Sequence, residues 1–541
     1  MSAGTLEYDV CVVGSGAAGG IMAKELCEGG AKVIQLEGGK RVQPSELLTH
    51  KWPYELPFRG FRQEKQNIYY QGDVRTSVGY ENTSDNIAVD RIRVVGGRTV
   101  HWNAVTLRYA ARDFRERSLT GIEEDWPITY EELAPYYERV EEMIGVTGQD
   151  DGLEILPGGS HYLPPLSWRC SEHVLNRSLK RMGIPMIPVR KAVLTKPYDN
   201  RPPCHYCGHC MDGCDVAAVF NSATALLPKA QATGNYTLRQ NALAREILVD
   251  REGRARGVSF VDTSTGREES VRARTVVLCC ATIESARLLL NSRSPQHPNG
   301  LANSSDMVGR NLSGHSGSAV RIYVEELQGL KPTNQDGATD HAFIPRYNHL
   351  LGKHDYAGGW DIQVNFASYM VPAHAGRVPG YGADFKAQVR RMQSGYLMMG
   401  WFCKVVATAE NRVTVDPSRK DQAGIPIAVV RFRWNDNDLA MYRDAVKSIR
   451  EIGEAVRGPM FMDSDTPGGF ASHEVGTARM GNDPKKSVLN AYCQSHDVKN
   501  LFVTDGSAFT TSAEKNPTLT IMALSLRAAD YIKDQRRKGN L

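Results

Sequence analysis

A glycine-rich turn near the start of the chain has the spacing of a phosphate-binding loop. Gly14, Gly16 and Gly19 follow an apolar run at residues 8–13 and precede a run with helical spacing at residues 21–26. The first glycine permits a tight turn, the second lets the backbone approach a pyrophosphate, and the third allows the helix to pack closely. The N-terminus of that helix offers free N–H groups to phosphates. The turn therefore predicts a dinucleotide site.

An acidic residue stands where such a site needs one. Glu37 lies 18 residues beyond Gly19 and directly follows a second predicted strand at residues 32–36. A carboxylate there accepts hydrogen bonds from a ribose diol and disfavours a 2′-phosphate. A tight turn without a ligand is the alternative, and the combination of strand, helix and acid argues against it.

Four cysteines form a second group of residues whose spacing points to chemistry. Their pattern is C-x2-C-x2-C-x3-C, and they are Cys204, Cys207, Cys210 and Cys214. Thiolates at this spacing hold an iron–sulfur cluster in bacterial ferredoxins, although Asp215 stands where a proline usually follows the last cysteine. A zinc knuckle, with help from His205 or His209, is the leading alternative, and disulfides or free thiols are a third interpretation.

The elements that must position these residues are those of an α/β protein. A βαβ pattern opens the chain, and residues 244–260 and 275–290 indicate a return to the same sheet. Residues 113–146 have helical spacing. Between residues 316 and 434 several alternating strands are followed by a helix at 436–456, which is typical of an antiparallel substrate-binding sheet. On those strands Gln363, Asn365 and Trp401 are candidate substrate contacts by position alone.

Further motifs carry a resemblance to a known family. Beside the glycine-rich turn they are GGRTVHW at residues 96–102, SHEVGT at 472–477, NLFVTDGS at 500–507 and NPTLTIMAL at 516–524. Together they resemble the glucose–methanol–choline (GMC) oxidoreductases over nearly the whole chain. Within that family the chain is most similar to bacterial FAD-dependent sugar dehydrogenases, glucoside 3-dehydrogenases above all, and to pyranose oxidases. The resemblance implies FAD as the cofactor.

The resemblance also implies a catalytic pair, His473 and Asn516. Oxidation of an alcohol by hydride transfer needs a base at the hydroxyl proton, and a neutral imidazole suits that role. An amide can hydrogen-bond the same oxygen and orient it. Helix capping is the alternative role for Asn516, which precedes a proline at a predicted helix start, and the two roles are compatible.

Other residues are expected to contact the flavin. The resemblance places Asp505 near the ribityl and diphosphate groups, the Gly97 turn beneath the isoalloxazine, and Asn103 at the flavin edge. In pyranose 2-oxidases a histidine before a tryptophan carries FAD covalently, and His101 holds that position here. Because Asn103 stands where those oxidases have threonine, packing of His101 beneath a dissociable FAD is favoured, and covalent attachment is the alternative.

The cysteine group has a counterpart in the family. Certain bacterial sugar dehydrogenases of this kind hold a three-iron cluster on cysteines that match Cys204, Cys210 and Cys214. Cys207 is additional, so a 3Fe–4S and a 4Fe–4S cluster both stay open. Such a cluster passes electrons singly from flavin to a cytochrome or quinone, with a small partner subunit in some of these enzymes, and favours a dehydrogenase over an oxidase.

We therefore predict an α/β fold of two interleaved domains. A Rossmann-type FAD-binding domain of discontinuous segments covers residues 1–315, with a cysteine-rich insert near 200–216, and residues 465–541. A β-rich substrate-binding domain of antiparallel strands and helices covers residues 316–464, and the active site lies between the domains.

The predicted reaction is oxidation of a secondary hydroxyl of a sugar or glycoside, at C3 of a glucose unit, with hydride transfer to flavin N5. Oxidation of a polyol or pyranose at another carbon such as C2, by an oxidase or a dehydrogenase, is one alternative. A catalytically silent electron-transfer subunit is another, and the presence of both His473 and Asn516 argues against it.

Composition excludes several other classes of protein. The 541 residues are 41% hydrophobic and 23% charged, and the net charge is only +4 without basic clusters, which argues against nucleic-acid binding. Residues 1–7 lack the features of an export signal, and no run of about 18 apolar residues predicts a membrane span. A cytoplasmic location is expected, with periplasmic export alongside a partner subunit as the alternative.

Overall fold

The computed structural model describes residues 7–51, 55, 80–82, 92–331, 339–346, 352, 354–365, 375–469 and 473–541. Residues 1–6, most of the stretch between 52 and 91, and Ser472 of one family motif lie outside this part of the chain.

The strands are, in chain order, β1 (Glu7–Val13), β2 (Val33–Leu36), β3 (Tyr80–Asn82), β4 (Ile187–Pro188), β5 (Tyr236–Arg239), β6 (Ala242–Val249), β7 (Ala255–Asp262), β8 (Glu268–Leu278), β9 (His315–Tyr323), β10 (Ala342–Ile344), β11 (Trp360–Val364), β12 (Tyr396–Lys404), β13 (Arg412–Lys420), β14 (Pro426–Arg431), β15 (Met460–Met462), β16 (Gly468–Gly469) and β17 (Leu501–Val503). The helices are α1 (Ala17–Glu28), α2 (Glu116–Thr120), α3 (Tyr130–Ile144), α4 (Cys170–Arg181), α5 (Ser222–Ala225), α6 (Leu227–Ala232), α7 (Thr282–Asn291), α8 (Gly382–Gln393), α9 (Asp436–Val456) and α10 (Thr518–Arg537).

The first sheet has the order β5-β2-β1-β8-β7-β6, and β17 pairs with the end of β8. Strands β5, β2, β1, β8 and β17 run parallel, while β6, β7 and β8 form an antiparallel meander. Central parallel strands are apolar because helices cover both of their faces, and β2 is buried at all four positions. The crossover from β1 through α1 to β2 confirms the predicted Rossmann-type layer.

The second sheet has the order β15-β9-β12-β11-β10-β4, with β16 beside β9, and its pairs are antiparallel. Alternate side chains face opposite sides of such a sheet. Ile362 and Trp401 enter a core that α4 and α9 cover. The opposite face carries Gln363 and Phe402 toward the first sheet. The predicted antiparallel substrate layer is thereby confirmed.

Two details of the predicted elements were wrong. Residues 113–146 form the separate helices α2 and α3, because Gly121 ends α2 with a positive φ of 79°. Strands β13 and β14 leave the substrate sheet and form a third sheet, β13-β14-β3, and Val413, Ala428 and Val430 of β13 and β14 belong to the core of the first sheet.

The two layers also exchange elements. Strand β4 and helix α4 precede residue 315, yet β4 pairs with β10 and α4 packs against α9. Val413 and Val430 follow residue 316, yet they belong to the first core. The division at residues 315 and 464 stays a prediction. Among the described residues no helix is long and apolar enough to cross a membrane.

Candidate active site

A cavity of about 390 Å³ lies between the first and second sheets. Nine of the residues predicted to bind the cofactor or to react line it: Gly14, Gly16, Glu37, Gly97, His101, Asn103, His473, Asp505 and Asn516. Segments from the start, the middle and the end of the chain thus meet in one concave site, which is the usual form of a small-molecule pocket.

Gly19, the tenth predicted residue, does not line the cavity but packs against the glycine-rich turn. A Cβ at Gly19 would overlap the carbonyl oxygen of Gly14, and a Cβ at Gly14 would overlap the carbonyl oxygen of Cys279 on the strand side. Gly14 also has a φ of 97°, which favours glycine. Gly19 therefore lets α1 approach the turn after β1, and Gly14 lets that turn approach the end of β8.

The N-terminus of α1 faces the cavity without a protein cap. Gly16, Ala17 and Ala18 line the cavity, and no side chain caps the helix at Gly16. The first turn of a helix presents unpaired N–H groups and a positive dipole end. This cradle fits the diphosphate of FAD, so the expected cofactor suits the residues present.

Glu37 accepts hydrogen bonds from the turn it was predicted to accompany. Its carboxylate accepts from the backbone N–H and hydroxyl of Ser15 at 3.1 and 2.6 Å, and from the N–H of Gly39 at 3.0 Å. Ser15 Oγ also accepts from the N–H of Gly96 at 2.9 Å. Burial raises the pKa of Glu37, and these hydrogen bonds oppose the rise. Ser15 therefore links both glycine turns, a role that the motif alone did not reveal.

The second glycine turn packs directly on the first. Gly96 and Gly97 have positive φ values of 99° and 53°, and a Cβ on Gly97 would lie 3.1 Å from the Cα of Gly16. The turn leads to His101, which is buried at the cavity wall. Asn103 lines the same wall and accepts a hydrogen bond from Thr339 at 2.7 Å.

Asp505 supports the cavity wall through bonds to the chain. One carboxylate oxygen accepts from the N–H of Ala281 at 3.0 Å and the hydroxyl of Ser285 at 2.5 Å. The other accepts from the N–H of Ser507 at 2.9 Å. Burial raises the pKa of Asp505, and these donors oppose the rise. The residue thus joins the end of β17 to the start of α7.

His473 and Asn516 meet in the cavity although 43 residues separate them. Asn516 Nδ2 lies 3.3 Å from His473 Nε2. Gln363 Nε2 donates to Asn516 Oδ1 at 2.8 Å, which turns the amide N–H₂ toward the imidazole. Asn516 precedes α10, and neither Asn516 nor Pro517 makes a side-chain cap, so the amide is directed to the site and the capping role is not observed.

The surroundings keep His473 neutral. Burial lowers the pKa of His473 well below its ordinary value, and the nearby His315 and Arg98 lower it further. The ring of Phe402 lies 5.6 Å from that of His473, centroid to centroid, and shields it. A neutral imidazole beside an amide donor can accept a proton from a hydroxyl group whose oxygen the amide holds.

The three substrate contacts predicted from strand position had different outcomes. Gln363 lines the cavity and orients Asn516. Asn365 instead donates to Glu172 at 2.7 Å, and Trp401 lies in the core on the opposite face of the sheet. Both predictions were wrong: Trp401 occupies the other face of the sheet, which strand position does not show, and Asn365 lies just beyond the end of β11 with a positive φ of 58°. Arg98 lay within the GGRTVHW motif but was not singled out, and Phe402 and His315 belong to no motif.

The cysteine group lies beside the cavity. Cys210 begins a short 3-10 turn, Cys210–Asp212, and Met211 within that turn lines the cavity. Burial and the charges of the neighbouring thiols raise the pKa values of Cys204 and Cys207 to about 12. Throughout the described part of the chain no three His, Cys, Asp or Glu side chains are arranged to hold a metal ion. The arrangement therefore does not show the predicted metal site at these cysteines.

The cavity joins a turn that fits a dinucleotide to a neutral imidazole and an amide donor, an arrangement suited to the oxidation of alcohol groups. Sequence models described as GMC oxidoreductase match residues 65–317 and 407–525. The chain belongs to the GMC oxidoreductase family, and it is an FAD-dependent alcohol or sugar dehydrogenase by class.

Individual relatives extend over the whole chain. It is 32% identical to 2-methyl-1,2-propanediol dehydrogenase of Mycolicibacterium austroafricanum, over 97% of this chain and 95% of the relative. It is 28% identical to the fructose dehydrogenase large subunit of Gluconobacter japonicus, over all of both chains. The fold matches pyridoxine 4-oxidase from Mesorbium loti with a TM-score of 0.64 at 17% identity, over 97% of this chain and 98% of the other.

Proposed function

We propose that this protein oxidises a secondary hydroxyl of a sugar, at C3 of a glucose unit or glucoside. The observation that carries the proposal is the His473–Asn516 pair, 3.3 Å apart, in the same cavity as the glycine turns. Bound FAD would supply the hydride acceptor for the substrate carbon. The residues of the chain then have to hold the hydroxyl, remove its proton and exclude water.

Residues of the cavity can hold the hydroxyl group, remove its proton and exclude water. His473 Nε2 accepts the hydroxyl proton, and Asn516 Nδ2 donates to the same oxygen and holds it in place. Gln363 keeps the amide in that orientation through its hydrogen bond to Asn516 Oδ1. Phe402 covers the imidazole from the side of the second sheet. Proximity of base and donor thus prepares one alcohol group for oxidation.

The substrate class is supported by the relatives and by the polarity of the wall. One relative is named for a diol and another for fructose, so compounds with several hydroxyl groups are favoured. Arg98, Asn103 and Gln363 line the cavity and can hydrogen-bond further hydroxyl groups. Oxidation of a polyol, or of a pyranose at C2, is the second candidate, which the diol-specific name of one relative favours.

The deciding experiment is an anaerobic titration of the purified protein with methyl glucoside, followed by flavin absorbance and by NMR of the product. Bleaching with formation of a 3-keto product is expected. Parallel titrations with fructose and 2-methyl-1,2-propanediol identify the second candidate. Bleaching with those compounds alone would overturn the C3 proposal and leave the class of enzyme intact. Reoxidation by oxygen then separates a dehydrogenase, which reacts slowly, from an oxidase.

We also propose that electrons leave through an iron–sulfur cluster on Cys204, Cys207, Cys210 and Cys214. The four-cysteine spacing supports this proposal, and so does the position of Met211, whose 3-10 turn joins the cysteine loop to the cavity. The arrangement of the thiols described above does not itself form a metal site. A small partner subunit is part of the proposal, because one relative is named as a large subunit.

Iron and acid-labile sulfide analysis with electron paramagnetic resonance tests the cluster directly. Cys210→Ser is expected to lower iron content and to slow electron transfer to one-electron acceptors at least tenfold, while flavin reduction by substrate changes little. Cys170→Ser is the matched control, because Cys170 is exposed and lies outside the loop. Zinc in place of iron, or unchanged acceptor kinetics in Cys210→Ser, would overturn the relay.

A further inference from the structure

A second buried histidine lies against His473, outside every sequence motif. His315 is the first residue of β9 and is buried. Its Nδ1 atom lies 2.8 Å from Nδ1 of His473, and the two rings meet nearly at right angles, 81° between planes, with centroids 4.8 Å apart. The short distance requires one of the two nitrogens to carry the proton and the other to accept it.

The other nitrogen of His315 determines which one donates. His315 Nε2 lies 2.6 Å from the carbonyl oxygen of Ala513. A carbonyl oxygen only accepts, so His315 Nε2 must carry a proton. Burial lowers the pKa of His315 to about 4, so near neutral pH the ring carries a single N–H. Its Nδ1 is then a lone-pair acceptor.

The tautomer of His473 follows from that of His315. With an acceptor at His315 Nδ1, the hydrogen bond between the rings needs the proton on His473 Nδ1. His473 is also neutral, since burial lowers its pKa well below the ordinary value and the nearby Arg98 guanidinium lowers it further. Its remaining nitrogen, Nε2, therefore carries the lone pair. This is the atom that faces Asn516 Nδ2 at 3.3 Å inside the cavity.

We infer that His315 is a positioning residue that holds His473 in the tautomer whose Nε2 can accept the proton of a substrate hydroxyl. The tautomer of an imidazole is set by the hydrogen bond at its other nitrogen. As the O–H bond breaks, an N–H bond forms at His473 Nε2 and the substrate carbon becomes a carbonyl, and FAD, when bound, would supply the hydride acceptor. The Nδ1–H of the resulting imidazolium donates more strongly to His315, which stabilises its charge. The inference rests on the proposed role of His473 as base.

Two substitutions separate positioning from packing. His315→Phe keeps a ring but removes the acceptor, whereas His315→Asn supplies an amide oxygen near the Nδ1 position. We expect His315→Phe to retain FAD and to reduce it about a hundredfold more slowly. His315→Asn should recover most of that rate. His341→Phe is the matched control, because His341 is, like His315, buried, outside the cavity lining and bonded to a carbonyl, in its case that of Ser167.

The tautomer of His473 can be measured by NMR in the absence of substrate. In protein labelled with ¹⁵N-histidine, two-bond ¹H–¹⁵N correlation spectra should show His473 protonated at Nδ1, with the signal assigned by its loss in His473→Ala. His315→Phe should shift the proton toward Nε2. A wild-type His473 protonated at Nε2 would overturn the inference, even if His315→Phe does not fold.

The kinetic outcomes are equally distinct. A rate in His315→Phe equal to that of the wild type, or equal losses of rate and stability in His315→Phe and His315→Asn, would reduce His315 to a packing residue. If no alcohol bleaches the wild-type flavin, the proposed function fails, and the tautomer measurement still decides the role of His315.

Discussion

In the proposed reaction, His473 acts as the base and Asn516 as the hydrogen-bond donor to the same hydroxyl group. The base takes the proton in the transition state, whereas the amide only holds the oxygen, so the two residues should contribute unequally. General base catalysis typically contributes about 10²–10⁴-fold to a rate. A neutral hydrogen bond contributes about 0.5–1.5 kcal/mol, which corresponds to about tenfold or less.

We predict that His473→Ala retains FAD and reduces it with substrate about 10²–10⁴-fold more slowly. Asn516→Ala should lower the rate of flavin reduction by about tenfold or less and weaken the apparent affinity for substrate. Stopped-flow measurement of anaerobic flavin reduction checks both values. A near-normal rate of flavin reduction in His473→Ala would show that His473 is not the base.

The low pKa of His473 predicts an unusual pH dependence. The imidazole must be neutral to accept a proton, and burial with the nearby His315 and Arg98 keeps it neutral below the ordinary range. The rate of flavin reduction should therefore be flat from about pH 8 to about pH 6. A rate that falls with a midpoint near the ordinary histidine pKa of 6.5 would contradict the structure.

The same histidines link pH to stability. The folded-state pKa of His315 is lowered from 6.5 to about 4, so in this window the unfolded chain binds a proton that the folded chain does not. Stability is therefore full above about 6.5 and falls as the pH drops toward 4. Urea unfolding at several pH values should show this slope, and His315→Asn should reduce it.

At the scale of elements, the junction of β1 and α1 depends on the missing side chain of Gly19. Gln35 Nε2 also donates to the carbonyl oxygens of Gly14 and Gly19 at 2.8 and 3.0 Å, so the turn is bonded as well as tightly packed. A methyl group here would push α1 away from the strand and misplace its free N–H groups.

We predict that Gly19→Ala loses FAD and destabilises the protein by about 1–3 kcal/mol. Gly376→Ala is the control, because its Cβ would meet no atom within 4 Å. Flavin content after purification and thermal melting measure the two effects. Normal FAD binding by Gly19→Ala would show that α1 can shift away from β1 without loss of the cofactor site.

At the scale of the whole molecule, a buried ion cluster joins three parts of the chain. Lys515 contacts Asp113 at 2.8 Å and Glu514 at 2.6 Å, and Arg346 contacts the same two carboxylates at 3.2 and 3.5 Å. Arg346 follows β10 of the second sheet, whereas Lys515 directly precedes Asn516. The cluster therefore ties the substrate sheet to the segment that carries the amide.

We predict that Lys515→Met destabilises the protein by about 3–5 kcal/mol, because it leaves carboxylates buried without enough opposing charge. The exposed pair of Arg450 and Asp465 is the control, and Arg450→Met should cost about 1 kcal/mol or less. Chemical denaturation measures both. Equal small effects would show that the cluster is dispensable for the contact between layers.

Short motifs were enough to predict the cofactor fold, because their residues act within one turn or one βαβ unit. Gly14, Gly19 and Glu37 occupy positions at which the backbone itself dictates the residue type, so spacing alone reveals them. The antiparallel sheet was likewise visible from alternating apolar residues, since the period of two is a local property.

Contacts between residues far apart in the chain could not be read from the motifs. His315 and Ala513 are 198 residues apart, and neither belongs to a motif, yet one hydrogen bond between them sets the tautomer of the neighbouring base. The faces of Gln363 and Trp401 were undetermined for the same reason, because a pattern of apolar residues buried on both faces does not distinguish core from cavity. Local motifs are therefore sufficient for the turn that fits a dinucleotide, whereas long-range packing sets the orientation and the surroundings of His473 and Asn516.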